Sequence, residues 1–327
     1  MKRLRFAVIG IVIASFCATF VPAAQAAKVF SVGVAYDTGG PGDHSYNDAV
    51  AAGIDVAKKL YAINVSATVT IGTESDRELR IRSLVKKGCK LVIVVGGEYA
   101  ASLKIVARHY PARRFAIVND ATVNLPNVAS LVFAEKQGGY LAGVAAALVS
   151  KTRKIGLIGN SGQASDYRTG FIAGARSTRK GVGVQTRYRD NSWGTLATSM
   201  IANGVDVIFL TTAGSDSEVF DAVITANAAG KEVGLIGLEP DQYLTLAKSA
   251  KKYILASVVK RADRAVINVI AKAVSGRPLK DVLDPVAGTY GRRYGIADGG
   301  IEISLWTPSV AKFNKEINAA AIRVGEL

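Results

Sequence analysis

The stretch Leu91-Val92-Ile93-Val94-Val95-Gly96-Gly97 indicates the fold class of this chain. Its apolar residues run without a polar interruption, which is typical of a strand covered on both faces of a parallel sheet. The two glycines end the strand, and we interpret residues 100–108 as the helix that follows it. This strand–turn–helix unit predicts an α/β protein.

Similar units precede and follow this stretch. Val50, Ile54, Ala57 and Tyr61 recur at helical spacing and predict one face of a helix. The other predicted elements of this first series are strands over residues 29–35, 65–71 and 115–118 and a helix over residues 77–87. We therefore expect a first lobe in which helices cover both faces of a parallel sheet.

A second series begins after a helix of small residues at 140–149. Two doubly wound lobes in series are the simplest packing of the whole pattern. The last stretch, residues 286–327, has short strand-like pieces and a helix from about 309 to 322, and it is placed to cross back between the lobes. The predicted strands of the second series lie over residues 155–158, 183–188, 205–210, 233–236 and 253–256.

The loops that follow the strands predict where a ligand binds. In open parallel sheets, ligands bind beyond the carboxyl ends of the strands. Two lobes that face each other would direct these loops into one cleft. The loops lie at residues 36–47, 96–98, 119–120, 160–166, 191–193, 212–216 and 238–242.

The first residues predict export. Residues 1–5 are basic, residues 6–21 are mostly apolar, and Ala24 and Ala26 have the small-x-small spacing that a signal peptidase recognises. We therefore expect a signal peptide cleaved near Ala26 and a periplasmic or extracytoplasmic protein. Cys17 follows a phenylalanine, whereas a lipid-modified cysteine normally follows a small residue. Lipid anchoring at Cys17 is therefore the less favoured alternative.

The net charge does not by itself define a partner. The chain carries a formal net charge of +15, which is compatible with a nucleic-acid or other anionic partner. However, lysine and arginine are spread over the whole sequence without a stripe of interleaved aromatic residues. We interpret the charge as solvated surface and expect no nucleic-acid partner.

The residue types argue against catalytic and metal sites. His44 and His109 are the two histidines of the chain, too few for a clustered His/Cys ligand set. Gly159-Asn160-Ser161-Gly162 follows a strand but lacks the G-x-S-x-G pattern of a nucleophile elbow, and no glycine loop ends like a phosphate loop. Cys89 precedes a buried strand and is expected to be a buried thiol. We expect neither an enzyme nor a bound cofactor.

A cleft for a flat heterocycle remains as the best interpretation. Tyr46 and Asn47 follow a glycine-rich loop, and an aromatic ring beside an amide suits a heterocycle because the ring stacks and the amide pairs with polar edge atoms. Trp193 holds the matching position in the second lobe. The two aromatic residues together could sandwich a base, although packing is the ordinary role of either one alone.

Four segments of this sequence resemble motifs of the PnrA-like (basic membrane protein) family. Gly42-Asp43-His44-Ser45-Tyr46-Asn47 resembles the family's D-K-S-F-N motif, with Tyr for Phe and His for Lys. Residues 236–243 resemble its I-G-V-D-x-D-Q-Y motif, and residues 257–263 its S-x-V-K-R-x-D motif. Residues 125–130 followed by 138–143 resemble its mid-chain signature. The resemblance extends over essentially all of residues 28–300.

The resemblance implies a type I periplasmic-binding-protein fold, with two doubly wound parallel-sheet lobes joined by three crossover segments near residues 130, 257 and 287. The domain boundaries expected on this basis are 1–26 for the signal peptide, 27–131 plus about 258–285 for the N-terminal lobe, and 132–257 plus about 286–327 for the C-terminal lobe.

The resemblance also implies site residues. Tyr46 and Trp193 would stack on a purine base, while Asn47 and either Asn119 or Asp120 would read its edge. A ribose-binding carboxylate maps to Glu239, where the family usually has Asp, and Lys260 would meet the same ribose; an ion pair without ligand is the alternative for these two. The remaining matched residues are Asp37 and Gly214.

The implied function is capture of a purine nucleoside of the adenosine, guanosine and inosine class for an ABC importer, by a monomer that closes at its hinge and docks on a membrane permease. One alternative is a receptor of the same fold that signals to a membrane sensor. Another is a binder of a different heterocycle or of a sugar. A nucleoside hydrolase is the enzymatic alternative, and the scarcity of histidine disfavours it.

Overall fold

A computed structural model describes residues 29–43, 46–160, 165–188, 192–212, 217–238, 242–245, 247–279 and 281–325. These residues form two α/β lobes, each built on a mainly parallel sheet, and they confirm the predicted fold class. The strand Leu91–Val95, which the sequence predicted with these bounds, lies near the middle of the first sheet and is fully buried.

The first lobe contains a seven-stranded sheet among the described residues, in the order β11-β12-β5-β4-β3-β1-β2. All neighbouring strands are parallel except β11 and β12. The strands are β1 (Phe30–Tyr36), β2 (Ile63–Val69), β3 (Leu91–Val95), β4 (Arg114–Val118), β5 (Val128–Phe133), β11 (Val282–Asp284) and β12 (Thr289–Tyr294). The helices are α1 (Tyr46–Leu60), α2 (Glu74–Lys86), α3 (Ala100–His109) and α10 (Ala262–Val274), and a short 3₁₀ turn spans Gly97–Tyr99.

The second lobe contains a six-stranded sheet in the described part of the chain, in the order β13-β10-β9-β8-β6-β7. Only β13 runs antiparallel to its neighbour. The strands are β6 (Lys154–Gly159), β7 (Gly183–Tyr188), β8 (Val207–Leu210), β9 (Gly234–Leu238), β10 (Ile254–Lys260) and β13 (Ile301–Leu305). The helices are α4 (Glu135–Val149), α5 (Ser165–Thr178), α6 (Trp193–Ala202), α7 (Ser217–Ala228), α8 (Gln242–Thr245), α9 (Lys248–Lys251), α11 (Pro308–Ala311) and α12 (Asn314–Gly325).

The chain crosses between the lobes after β5, after β10 and after β12. The third crossover differs from the sequence-based boundary near residue 287, because residues 291–294 still pair with β5 in the first sheet. Gly291 explains the close pairing: a Cβ atom there would lie 2.0 Å from the carbonyl oxygen of Ser130. The adjacent arginines 292 and 293 interrupt any apolar run, so the sequence analysis described only strand-like pieces here and gave this strand no bounds.

Helices α4 and α5 are in direct backbone contact through glycines. A Cβ atom on Gly143 would lie 2.1 Å from the carbonyl oxygen of Phe171, and one on Gly174 would lie 2.0 Å from that of Tyr140. Gly139 and Gly170 meet equally close carbonyl oxygens. The small-residue helix that the sequence indicated is therefore one half of a tightly packed helix pair.

The predicted buried thiol is confirmed. Cys89 is 1% exposed in the first lobe, and burial raises its pKa. An unreactive packing role follows from that environment, since the thiolate is the reactive form.

The predicted signal peptide and Cys17 lie outside the described residues, so both stay predictions. Within the described ranges, no helix combines the length and the apolar character that a membrane span requires.

The α4–α5 contact predicts that Gly143→Ala destabilises the protein by about 2 kcal/mol or more, because the new methyl group overlaps backbone atoms that have no room to move. Chemical denaturation measures the effect. Gly325→Ala at the end of α12 is the matched control, because its Cβ atom would make only ordinary contacts at 3.7 Å and beyond. Equal unfolding free energies for the two variants would contradict the packing described here.

Candidate ligand-binding cleft

A cavity of about 440 Å³ lies between the lobes, at the carboxyl ends of their strands. The sequence analysis predicted a ligand site at this place, from the rule that ligands bind beyond the carboxyl ends of the strands in open parallel sheets (the strand-end rule). Both lobes and the crossovers contribute to its wall. From the first lobe come Tyr46, Gly97, Glu98, Asn119, Asp120, Ala121, Val132, Phe133 and Arg293, and from the second Glu135, Ser165, Asp166, Tyr167, Thr211, Leu238 and Lys260.

Lys260, the last residue of β10, lies at the centre of this site. Its side chain is 3% exposed, so the ammonium group needs hydrogen-bond partners to offset its desolvation. It donates to the Tyr46 hydroxyl at 2.5 Å and to Glu135 Oε1 at 2.6 Å. A longer bond of 3.3 Å reaches Asn119 Oδ1. The lysine thus joins the strand of one lobe to a helix and a loop of the other.

Two aromatic rings flank the same ammonium group. The Lys260 nitrogen lies 5.2 Å from the centre of the Tyr46 ring and 5.4 Å from that of Tyr167. Both distances fall in the range of favourable cation–π interactions. One ring comes from the first lobe and the other from the second, so the site presents an aromatic side chain on each side of the cleft.

The segment that follows Lys260 is braced by ion pairs. Arg261 donates to Asp263 at 2.6 Å and to Glu302 on β13 at 2.9 Å. Burial alone would raise the pKa of Asp263, but the hydrogen bonds and charge of Arg261 outweigh it and the pKa lies below its ordinary value. These contacts hold the second crossover and thereby fix the position of the lysine next to it.

The cavity wall is rich in acceptors. Glu98, Asp120 and Asp166 line it together with Glu135. Asp120 Oδ1 accepts from both the backbone and the hydroxyl of Thr122 at 2.8 Å, which leaves its other oxygen for a ligand. Such a wall favours a ligand that presents N–H and O–H donors. Among the described residues, no group of three His, Cys, Asp or Glu side chains could hold a metal ion.

Asp37 and Asn47 lie behind the cavity wall that the described residues form. Asn47 is 1% exposed; its Oδ1 accepts from the Asp37 backbone at 3.1 Å and its amide donates to Asp43 at 2.8 Å. Asp37 in turn accepts from Arg77 at 3.2 Å. Both predicted site residues therefore shape the loop that precedes α1, and direct ligand contact by either stays a prediction.

The other predicted site residues divide into three groups. Tyr46, Asn119, Asp120 and Lys260 are brought together at the cavity. Trp193 begins α6, is half-buried against the apolar cluster of the second lobe, and lies outside the wall that the described residues form. Gly214 and Glu239 lie outside the described residues, so their roles stay predictions.

Sequence reasoning missed Glu135, Tyr167 and Arg293. Glu135 directly follows the carboxyl end of β5, so the strand-end rule would have found it once that strand was recognised. Tyr167 lies inside α5 and its sequence carries no signal of exposure to a cleft. Arg293 belongs to β12, which lies in the stretch of strand-like pieces that the sequence analysis left without bounds and assigned to the second lobe.

Comparisons with known proteins agree with this architecture. The profile of a family described as "ABC transporter substrate-binding protein PnrA-like" matches residues 30–323. The "ABC transporter nucleoside-binding protein BmpA" of Lactococcus lactis is 28% identical over 333 residues, covering 93% of this chain and 92% of the relative. A "CD4+ T-cell-stimulating antigen" of Listeria monocytogenes is 29% identical over 273 residues, covering 77% and 76%. A crystal structure of an ABC transporter solute-binding protein from Aeropyrum pernix has 26% identity and a TM-score of 0.66, covering 89% of this chain and 80% of that one.

The Lys260 cluster predicts strong energetic coupling between Lys260 and Glu135. Lys260→Met should cost about 3 kcal/mol of unfolding free energy, because it leaves a partly buried carboxylate without its partner. Adding Glu135→Gln should recover part of that loss, with a coupling energy of about 1 kcal/mol or more in a double-mutant cycle.

The exposed pair of Lys151 and Glu232 is the matched control, since both side chains are more than 70% exposed. Its cycle should give a coupling energy within about 0.5 kcal/mol of zero. Equal coupling in the two cycles would show that burial does not strengthen the Lys260 pair.

Proposed function

This chain belongs to the PnrA-like family of ABC transporter substrate-binding proteins, and we propose that its cleft captures a purine nucleoside for delivery to a membrane permease. The observation that carries the proposal is the arrangement of Lys260 beside Tyr46, Asn119 and Glu135 in one cavity. It combines a ring for stacking, a cation and a carboxylate within reach of one small ligand.

The ribose hydroxyls account for the charged part of the site. A ribose oxygen would replace Asn119 on Lys260, because that 3.3 Å bond is the longest of the three. Glu135 accepts hydrogen bonds from the hydroxyls, as would Glu239, the position to which the family's ribose-binding carboxylate maps. A carboxylate can accept from two vicinal hydroxyls at once, and the adjacent ammonium keeps it ionised.

The base then lies along the Tyr46 ring. Released from Lys260, the Asn119 amide would share the recognition of the base edge with the free oxygen of Asp120. Trp193 would supply the second stacking face when the lobes close, since it starts the helix that follows the carboxyl end of β7 in the second lobe. Closure bends the chain at the three crossovers. Asp37, Asn47 and Gly214 complete the proposed site, the first two by holding the loop before α1.

The acidic wall also favours a nucleoside over a nucleotide. Glu98, Asp120, Glu135 and Asp166 are opposed by two cations, Lys260 and Arg293, in the described wall. A phosphate group in this cavity would meet an excess of like charge. The proposed ligand is therefore uncharged, and the proposed site is extracytoplasmic, in keeping with the export signal that the first residues predict.

Isothermal titration of the protein, refolded to remove any bound ligand, tests the function. We expect tight binding of adenosine, guanosine or inosine, binding at least about 100-fold weaker for cytidine, and no binding of free ribose, because the stacked purine ring contributes much of the affinity. Absence of heat with every nucleoside, or equal affinity for ribose alone, would contradict the proposal.

Two substitutions test the stacking residues. Tyr46→Ala and Trp193→Ala should each weaken purine nucleoside binding about tenfold or more, at a cost of about 1–3 kcal/mol for each lost stacked face. Tyr61→Ala is the matched control, because Tyr61 follows the opposite end of α1 and is half-buried away from the cavity. If Tyr61→Ala weakens binding as much as Tyr46→Ala, the loss reflects the helix rather than stacking.

A further inference from the structure

The charges of the first lobe differ between the two ends of its strands. We call the carboxyl ends of the strands, which face the cleft, the cleft edge, and their amino ends the opposite edge. At the cleft edge, the strand ends, loops and first helical turns carry the acids Asp37, Glu74, Glu98 and Asp120, together with the cations Arg77 and Arg293. At the opposite edge, residues 57–62, 86–90, 108–114 and 275–279 contain lysine and arginine but no acidic residue. We call these four segments the basic pole. Its exposed cations include Lys59, Lys86, Lys87, Lys90, Arg108 and Arg277.

The basic pole contains a groove of about 370 Å³. The charged side chains in its described wall are Arg113 and Arg114, and the rest of the wall is formed mainly by prolines 111, 126 and 278 and by Leu279. Lysines at helix ends are expected from the helix dipole, but these two arginines precede and begin a strand. The groove therefore combines guanidinium groups with rigid apolar walls.

The backbone of the groove is held in place before any ligand arrives. The Asn127 amide donates to the carbonyl oxygens of Ala107, Tyr110 and Arg113 at 2.9, 3.2 and 3.2 Å. Arg114 donates to the carbonyl oxygen of Ala273 at 3.2 Å, which ties the strand to the end of α10. The Arg113 guanidinium makes no side-chain hydrogen bond or ion pair with the described residues, so its donors remain for an anion.

The second lobe carries a cavity of different charge at the corresponding edge. Its cavity at the corresponding edge, of about 310 Å³, is lined by Asp206 and Glu232 as well as by Lys151 and Lys252. Asp206 accepts from Ser150 and from two backbone N–H groups, and Glu232 pairs with Lys151. The anion-binding character therefore belongs to the first lobe and does not follow from the high net charge alone.

The chain joins the fold at the same pole. Phe30, the first residue of β1, lies beside Lys90, whose ammonium nitrogen is 5.7 Å from the centre of the Phe30 ring. The Lys90 backbone donates to the carbonyl oxygen of Ser31 at 2.9 Å. The first described strand therefore begins at the basic pole, at the end of the lobe opposite the cleft.

We propose that the groove binds the phosphate of an anionic phospholipid headgroup and that the basic pole rests on a membrane surface. Arginine forks match phosphate oxygens, and the proline and leucine walls suit the glycerol part of the headgroup, which a free phosphate ion lacks. The surrounding lysines add attraction to the anionic surface. The proposal does not depend on which ligand the cleft takes.

Vesicle sedimentation tests this proposal, using the protein as purified from expressing cells, with the same N-terminus in every variant. Vesicles of phosphatidylcholine containing phosphatidylglycerol should bind the protein, and vesicles of phosphatidylcholine alone should not. Replacing Lys90, Arg113 and Arg277 by glutamine should weaken binding about 100-fold, because each cation near an anionic surface contributes about fivefold.

A charge-matched variant separates the groove from net charge. Replacing Arg153, Arg176 and Lys180 on the second lobe by glutamine removes the same charge and should change vesicle binding by less than about threefold, and both triple variants should melt like the parent. Equal losses in the two variants would overturn the proposal. If inorganic phosphate at constant ionic strength displaces the vesicles, the groove is a phosphate site. If an oligonucleotide binds equally tightly and the first variant loses that binding, the groove is a nucleic-acid surface. Either result overturns the membrane assignment.

Discussion

The burial of a single ammonium group constrains the cleft of this protein. Lys260 is almost fully withdrawn from water, and a charge in that position is tolerated only when its donors are paired. Its partners come from α1, from the loop after β4 and from the start of α4. Three distant parts of the sequence are thus held within one hydrogen-bond shell. A small ligand can replace one of these hydrogen-bond partners of Lys260, so the same bonds that stabilise the cleft also prepare it for binding.

The glycine contact between α4 and α5 helps to hold the residues around Lys260 in place. Because the two helices touch along their backbones, their first turns meet at the cleft, where both Glu135 and Tyr167 contact Lys260. Larger residues at these glycines would separate the helices and widen the site. The ion pairs of Arg261 fix the neighbouring crossover. The position of Lys260 therefore depends on backbone contact between α4 and α5, on ion pairs at the crossover and on hydrogen bonds within the site.

The sequence predicted the parts of the molecule that local patterns determine. The strand Leu91–Val95 and the strand Gly183–Tyr188 have the predicted bounds, and the strand-end rule located the cleft. It indicated strand-like pieces within residues 286–327 but did not place β12 in the first sheet, because Arg292 and Arg293 interrupt the apolar pattern and Gly291 matters only through its contact with β5. Tyr167 was missed for a related reason, since its place in the cavity wall depends on a helix crossing that no local pattern encodes.

The central claim is that the Lys260 cluster exchanges a protein partner for a purine nucleoside. A crystal structure of the protein with inosine tests this most directly. The account predicts the purine ring along Tyr46, a ribose oxygen within hydrogen-bond distance of the Lys260 nitrogen, and Asn119 turned from the lysine to the base. An inosine molecule bound elsewhere, or a Lys260 cluster unchanged beside a bound ligand, would contradict it.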